Sequence, residues 1–574
     1  VRFQFRAPGD LDGLTLRFNG RCGEHTFEYE WPLEFTAGGC TIPIPAPRLW
    51  WPKGYGAADL YTITAGLYRG DERISERQDS VGLRVINILR TPTAGEMSER
   101  EALPSSPARW DRPFDPAHHF VIHVNGVPVM VKGTNWVPVD AFHSRDLERL
   151  PRALRLAADA GCNMIRCWGG NVYENDLFYD FCDANGLLVW QDLAFACCAY
   201  PQDDAFRAVV AAEIEEVAQR LRNHACLALW CGDNENDMLY LSEGLDPAQN
   251  RLTRETIPQV LHRLDPHRVY IPSSPHHPPE AVRAGLDTPE QHLWGPRGYY
   301  KSSFYTRHSA HFIGEIGYHG SPAPTSLRRF LAPAELWPWQ NNPAWQDHAV
   351  YHWQRSAIDR DRIQLMANQV RELFGEIPQE LAEFCLASQI TQAEAKKFFI
   401  ESTRLRKWAT SGIIWWNLID GWPQFSDAVV DYYFTPKLAY HYIRRAQAPV
   451  GLVLAEQGAG KYRALVACND TRADADVTFR AWDADSGEIL AQGAARVPAN
   501  ENWQVARLRA FASDRRLILL EWESAGQTWG GHYLAGSPPF DLPVYRRWLA
   551  QIAALPGTFS LEEIDETDKA RGVV

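Results

Sequence analysis

Residues 187–235 decide the fold. LLVWQD (187–192) is a short apolar run, DDAFRAVVAAEIEEVAQRLRNH (203–224) is a long amphipathic stretch, and LALWCGDNE (227–235) is apolar again. The period changes from strand-like to helical and back, which predicts two parallel strands joined by a helix. The same alternation extends outward on both sides. The strand candidates, in order, are VPVMVKGTNW (127–136), NMIRCWGG (163–170), LLVWQD, LALWCGDNE, VYIPSSP (269–275), HLWGP (292–296), HFIGEIG (311–317) and GIIWWNLID (412–420). Helical stretches such as LERLPRALRLAADAG (147–161) separate them. Eight such units between 119 and 446 fit a (β/α)8 TIM barrel. A doubly wound open sheet is the alternative, but no strand is followed by a Gly-rich phosphate turn.

The flanks read differently. Over residues 1–88, Leu14, Leu16 and Phe18 alternate with Thr15 and Arg17, and Phe27, Tyr29 and Trp31 alternate with Glu28 and Glu30. That period of two describes the half-buried strands of a small β-sandwich. Residues 89–118 are rich in Pro, Ser and charge and are expected to be a linker or long loop. Alternation returns over 447–540, where Val477, Phe479 and Ala481 interleave with Thr478, Arg480 and Trp482, predicting a second sandwich. Residues 541–574 are expected to hold a short helix (VYRRWLAQIA) and an acidic tail. The expected architecture is multidomain: a barrel flanked by small sandwiches.

Composition narrows the function. A formal net charge of -13 offers no basic stripe for phosphate contacts, so no nucleic-acid partner is expected. No apolar run reaches 18 residues, so no membrane partner is expected either. The chain starts at Val1 with no signal peptide and enters strand-like sequence at once, which raises the expectation of a fragment or a processed product. The 11 cysteines include no C-x-x-C pair. Cys197 and Cys198 are adjacent, and Cys162, Cys167, Cys182, Cys226 and Cys231 fall in barrel-like stretches, so they are read as thiols in a reducing compartment rather than a zinc or disulfide framework. The 22 Trp, 21 Tyr and 25 Phe serve mostly as core. An aromatic face also stacks on the apolar face of a pyranose, so position must separate the two uses.

Barrel active sites lie at the C-terminal ends of the strands. Those ends carry Arg166 with Trp168, Asp192, Asn234 with Glu235, His292 with Trp294, Glu315, and Trp416. Glu235 and Glu315 each follow an apolar run. An unpaired carboxylate in a core is costly, so both are expected at the barrel mouth. Two carboxylates facing each other there suit glycoside hydrolysis, in which one protonates the leaving oxygen and the other attacks carbon or activates water.

These residues also resemble a family. CGDNEND and GEIG are similar to the motifs of glycoside hydrolase family 2. The stretches HVNGVPVMVKGTNWVPVDAF, IRCWGGNVYENDLFYDFCDANGLLVWQD and IIWWNLIDGWPQFSDAVVDYYFTPKLAYHYIRRAQAPV resemble its β-mannosidase branch. LWWPKGYGAADLY and VGLRVI resemble the family's immunoglobulin-like domain running into the barrel. The resemblance implies a retaining exo-β-glycosidase with Glu235 as acid/base and Glu315 as nucleophile. It implies further that Asn234 reads the sugar 2-hydroxyl, Arg166 stabilises the nucleophile, and Trp168 and Trp416 shape the subsite. Trp136, Asp192, His292 and Trp294 are further candidates for the pocket wall. The implied partner is a carbohydrate, with no cofactor and no metal.

Two departures stand out. Nothing here corresponds to the family's N-terminal jelly-roll sugar-binding domain, so a missing domain or a partner chain is expected to supply it. The branch usually has WGGG where this chain has Trp168-Gly169-Gly170-Asn171. β-Mannosides are the favoured substrates, with β-galactosidase, β-glucuronidase and exo-β-glucosaminidase activities as alternatives. A non-catalytic carbohydrate-binding protein on the same scaffold is the alternative of a different class. A metal-dependent hydrolase has no H-E-x-x-H helix to support it.

Overall fold

A computed structural model describes residues 2–6, 9–90, 120–285, 287–349, 361–456, 462–511, 513–561 and 564. Most of the expected linker (91–118) and most of the acidic tail lie outside these residues.

The first unit is antiparallel. β1 (Arg2–Arg6) pairs with β4 (Ala37–Thr41). β2 (Leu14–Cys22), β3 (His25–Pro32), β5 (Tyr61–Arg69) and β6 (Glu72–Val81) form a sheet in the order β3-β2-β5-β6. Phe18, Cys22, Phe27, Tyr61 and Ile63 bury the inner face, as the period of two requires. β7 (Ile86–Arg90) then pairs antiparallel with β8 (Phe120–Val124), and β8 with β9 (Val127–Pro128). Sequence reading divided these segments between sandwich, linker and barrel, and assigned Val127 to the first barrel strand. The reason lies in Asn125 and Gly126, both at positive φ (51° and 81°), which form a tight hairpin turn before the barrel begins.

The barrel strands are β10 (Val131–Trp136), β11 (Met164–Cys167), β12 (Leu188–Asp192), β13 (Leu227–Cys231), β14 (Val269–Ile271), β15 (Glu290–His292), β16 (Phe312–Glu315) and β17 (Gly412–Trp415). They form one parallel sheet in the order β14-β13-β12-β11-β10-β17-β16-β15. Among the described residues no ladder joins β14 to β15, two three-residue strands, so the curled sheet has one unpaired seam. Every residue of β10–β13, β16 and β17 is buried, which is why these strands read as continuous apolar runs. Phe120 plugs the interior, stacking on Trp190 at 5.6 Å and meeting Phe312 at 4.9 Å.

The helices follow their pattern. α1 (Asp146–Asp159) and α2 (Asp204–Leu221) cover the sheet. In α2 the Asp203 side chain caps the Phe206 N–H, and Val210, Ile214, Val217, Ala218 and Leu221 form the buried stripe. α3 (Leu438–Ala446) leads into a second β unit. There β18 (Val450–Leu454), β19 (Tyr462–Asn469) and β22 (Asn502–Arg509) face β20 (Ala475–Asp483), β21 (Ile489–Val497), β23 (Arg516–Ser524) and β24 (Gln527–Ala535). Val477, Phe479 and Ala481 point inward and Thr478 and Arg480 outward, as expected. α4 (Leu542–Ala554) closes the described chain, capped by Asp541 and buried through Tyr545, Trp548, Leu549 and Ile552. Among the described residues no helix is long and apolar enough to cross a membrane, and Cys162, Cys167, Cys182, Cys197, Cys198, Cys226 and Cys231 are free thiols.

Candidate active site

The C-terminal ends of the strands converge on one buried cation. Arg166, at the end of β11, has no exposed side-chain surface. Its Nη1 donates to Glu315 Oε1 at 2.6 Å and to Asn135 Oδ1 at 2.8 Å. Its Nη2 donates to Asn234 Oδ1 at 2.6 Å and to Asp192 Oδ2 at 2.8 Å. A planar guanidinium with fixed donors suits this work, because it holds four side chains from four strands in one arrangement. Asp192 is fixed in turn by the Trp190 indole and the Gly169 N–H. Burial raises the Asp192 carboxyl to about 6, against the opposing charge of Arg166.

Glu315 receives a second donor on its other oxygen, the Trp294 Nε1 at 2.8 Å. The motif Gly314-Glu315-Ile316-Gly317 explains how these neighbours fit. A Cβ on Gly314 would lie 1.9 Å from Glu290 Oε1, and one on Gly317 would lie 2.4 Å from the Trp294 ring. Both glycines therefore leave room for side chains that organise the carboxylates.

Glu235 sits at the N-terminus of a short helix (Asn236–Ser242) with φ 60° and ψ 9°. A non-glycine residue in the left-handed region is strained, and such strain concentrates at functional positions. Its side chain is 22% exposed against 3% for Glu315, so Glu235 faces the opening.

His292 joins the two. Its Nδ1 lies 2.7 Å from Glu235 Oε1 and 3.5 Å from Glu315 Oε2. Its Nε2 lies 3.0 Å from Ser274 Oγ and 3.4 Å from Glu290 Oε1. Burial favours the neutral ring, but the Glu315 charge and the hydrogen bond to Glu235 outweigh it and raise His292 to about 10. The ring is therefore protonated at neutral pH. Desolvation raises the Glu315 carboxyl, opposed by His292 and Arg166. Desolvation also acts on Glu235, but the hydrogen bond and charge of His292 win and hold it below the usual range.

The aromatic wall is made by Trp416, which meets Trp168 edge-on at 5.4 Å and Trp294 at 5.8 Å. Trp136 departs from expectation. It is 1% exposed, its indole donates to Glu174 Oε1 at 2.8 Å, and its ring packs on Phe178. A side chain with no open face cannot line a pocket, so Trp136 belongs to the packing behind the mouth. Asp192 is likewise a holder of Arg166 rather than an exposed wall, with 0% of its side chain accessible. Four neighbours escaped sequence reading: Asn135, Ser274, Glu290 and Cys197, whose Sγ lies 3.6 Å from Glu235 Oε2. Asn135 directly precedes a singled-out residue, and a polar side chain ending an apolar strand was the available signal.

Sequence spacing offered no metal ligands, yet Glu235, His292 and Glu315 bring ligand atoms within 4.8 Å of one another. They come from three different strand ends, so no spacing could reveal them. Asp183, His224 and Cys226 are similarly close, but Asp183 is already committed to the His224 ring and the Cys226 N–H.

Known proteins are similar to this chain in sequence and fold. The family model Glycosyl hydrolases family 2 matches residues 21–84, within the first sandwich. Beta-mannosidase B of Thermothelomyces thermophilus is 28% identical over 505 residues, covering 79% of this chain and 55% of that protein. The β-D-mannosidase structure from Dictyoglomus thermophilum superposes with a TM-score of 0.76 at 25% identity, covering 92% of this chain and 64% of that one. The chain is similar to the β-mannosidases of glycoside hydrolase family 2 in sequence and in fold. The exo-chitosanase of Amycolatopsis orientalis shares the fold, with a TM-score of 0.68 at 17% identity. The chain spans about half the length of the curated relatives it matches, 55% and 48% for the β-mannosidases B of T. thermophilus and Aspergillus oryzae.

Proposed function

We propose that this chain carries the catalytic barrel of a retaining exo-β-glycosidase acting on β-mannosides. One observation carries the mechanism: oxygens of Glu235 and Glu315 lie within 4.8 Å of each other, with Arg166 and Trp294 fixing Glu315. Carboxyl groups about 5–5.5 Å apart leave no room for an intervening water and favour direct attack, whereas inverting pairs stand roughly 6.5–9.5 Å apart. Glu315 attacks the anomeric carbon and forms a glycosyl ester while Glu235 protonates the leaving oxygen. Glu235 then removes a proton from water, which hydrolyses the ester. Asn234, held by Arg166, presents its amide to the 2-hydroxyl beside the nucleophile. β-Mannosides are favoured because the curated sequence relatives and the Dictyoglomus thermophilum structure are β-mannosidases. A panel of nitrophenyl β-glycosides tests the sugar, and NMR of the first-formed product tests the stereochemistry. The β-mannoside is expected to give the highest kcat/KM and a β-configured first product. Preference for another sugar overturns the substrate, and an α-configured product overturns the mechanism.

His292 gives a second test. On this reading the proton that Glu235 must donate is stored on the His292 ring, whose Nδ1 lies 2.7 Å from Glu235 Oε1. His292→Gln removes that store, leaving Glu235 to hold its own proton with a lower, carboxylic pKa. The basic limb of the pH–kcat/KM profile is expected to move to lower pH by about one unit or more. An unmoved basic limb would show that the ring positions the carboxylates without holding the proton.

A further inference from the structure

The opposite end of the barrel carries a cleft of ≈ 300 Å³ that the proposed reaction does not use. It lies where the first sandwich, the barrel and the C-terminal sandwich meet. Lys53 comes from the first, Lys132 and Asp159 from the barrel, Arg444 and Arg445 from α3, and Asp470 from the loop after β19. Four cations thus face two carboxylates.

The balance is more positive than that. Lys132 is buried at the start of β10 and donates to Asp470 Oδ2 at 2.7 Å. Asp470 also meets Arg404 Nη2 at 3.0 Å and Lys407 Nζ at 2.7 Å, so one carboxylate answers three buried cations. Arg445 is 5% exposed and donates its Nη1 and Nη2 to the carbonyls of Ile552 and Leu555. Its Nε has no hydrogen-bond partner among the described residues. That atom is buried beside Gly557, which also lines the cleft. Arg444 and Asp159 stand exposed at the rim.

Buried charge without a counter-charge is costly, and a concave positive surface concentrates the field on whatever enters it. Guanidinium and ammonium donors together suit tetrahedral oxyanions. We propose that this cleft binds a polyvalent oxyanion of the phosphate class, which ties the two sandwiches to the base of the barrel. Free phosphate and the phosphoryl group of a sugar phosphate share this chemistry.

Calorimetric titration of the whole chain with inorganic phosphate tests the proposal, independently of any glycosidase activity. Binding is expected below about 1 mM, with a rise in the thermal midpoint that sodium chloride at equal ionic strength does not reproduce. Arg444→Glu, at the exposed rim, is expected to weaken phosphate at least about tenfold by placing a like charge at the entrance. Asp159→Asn, also at the rim, is expected to tighten it. Mannose 6-phosphate binding more tightly than inorganic phosphate, with free mannose inert in the assay of this cleft, assigns the site to sugar phosphates. Equal or weaker binding assigns it to the free ion. A phosphate response no larger than that of matched chloride overturns the proposal, as does an affinity that both rim substitutions leave unchanged.

Discussion

Glu315→Gln is expected to lower kcat for a nitrophenyl β-mannoside roughly 10⁴-fold or more while leaving the fold intact. The substitution keeps the shape of the side chain and removes only its charge and nucleophilicity. The carboxamide oxygen of the variant can still accept from Arg166 Nη1, which lies 2.6 Å from Glu315 Oε1 in the native site. Arg166 also keeps Asp192 as a charged partner at 2.8 Å, so the change does not leave a cation buried without a counter-charge. That matters, because breaking a buried ion pair outright costs about 3–5 kcal/mol and would confuse loss of chemistry with loss of structure. A 10⁴-fold loss corresponds to about 5.5 kcal/mol of transition-state stabilisation, which no rearrangement of a retained hydrogen bond supplies. Thermal unfolding within a few degrees of the native protein, together with lost turnover, is the expected pair of results. Turnover within tenfold of the native enzyme would remove Glu315 from the chemistry.

The barrel was legible because its strands are enclosed on both faces, so LALWC and FIGE read as unbroken apolar runs ending in a polar residue. That pattern points to the ends of strands, where the candidate site assembles. Glu235, Glu315, Arg166, Asn234, His292, Trp294, Trp168 and Trp416 come together at the mouth. What was not legible depends on direction and on distance in the fold. Trp136 ends its strand like the others, but its indole turns toward Glu174 and away from the carboxylates. Glu290 and Ser274 matter only through His292, the first lying two residues before it on β15 and the second beyond the end of β14. The hairpin formed by β7, β8 and β9 escaped because its strands lie on either side of residues 91–119, although Asn125-Gly126 marked its second turn. The basic cleft is the extreme case, since Lys53, Lys132, Arg444 and Asp470 meet from four distant parts of the chain.

The acid/base is distinguished from the nucleophile by its dependence on the leaving group, and Glu235→Ala is expected to show it. With a poor leaving group such as a disaccharide, the first step needs a proton on the departing oxygen, and general acid catalysis typically contributes about 10²–10⁴-fold. The variant should lose turnover by that factor. A dinitrophenyl β-mannoside leaves without protonation, so its first step should survive. Hydrolysis of the glycosyl ester still needs a base at the opening, and the variant lacks the carboxylate there while Glu315 is the esterified residue. The ester should therefore accumulate, giving a burst of dinitrophenolate, a lower KM and a slow steady state. Azide needs no general base and is small enough for the space vacated by the Glu235 side chain. It should speed the second step and yield the β-mannosyl azide, the product of two inversions. Equal slowing of both substrates, or an azide that neither accelerates turnover nor appears in the product, would mean that another group handles the proton and that Glu235 only shapes the mouth.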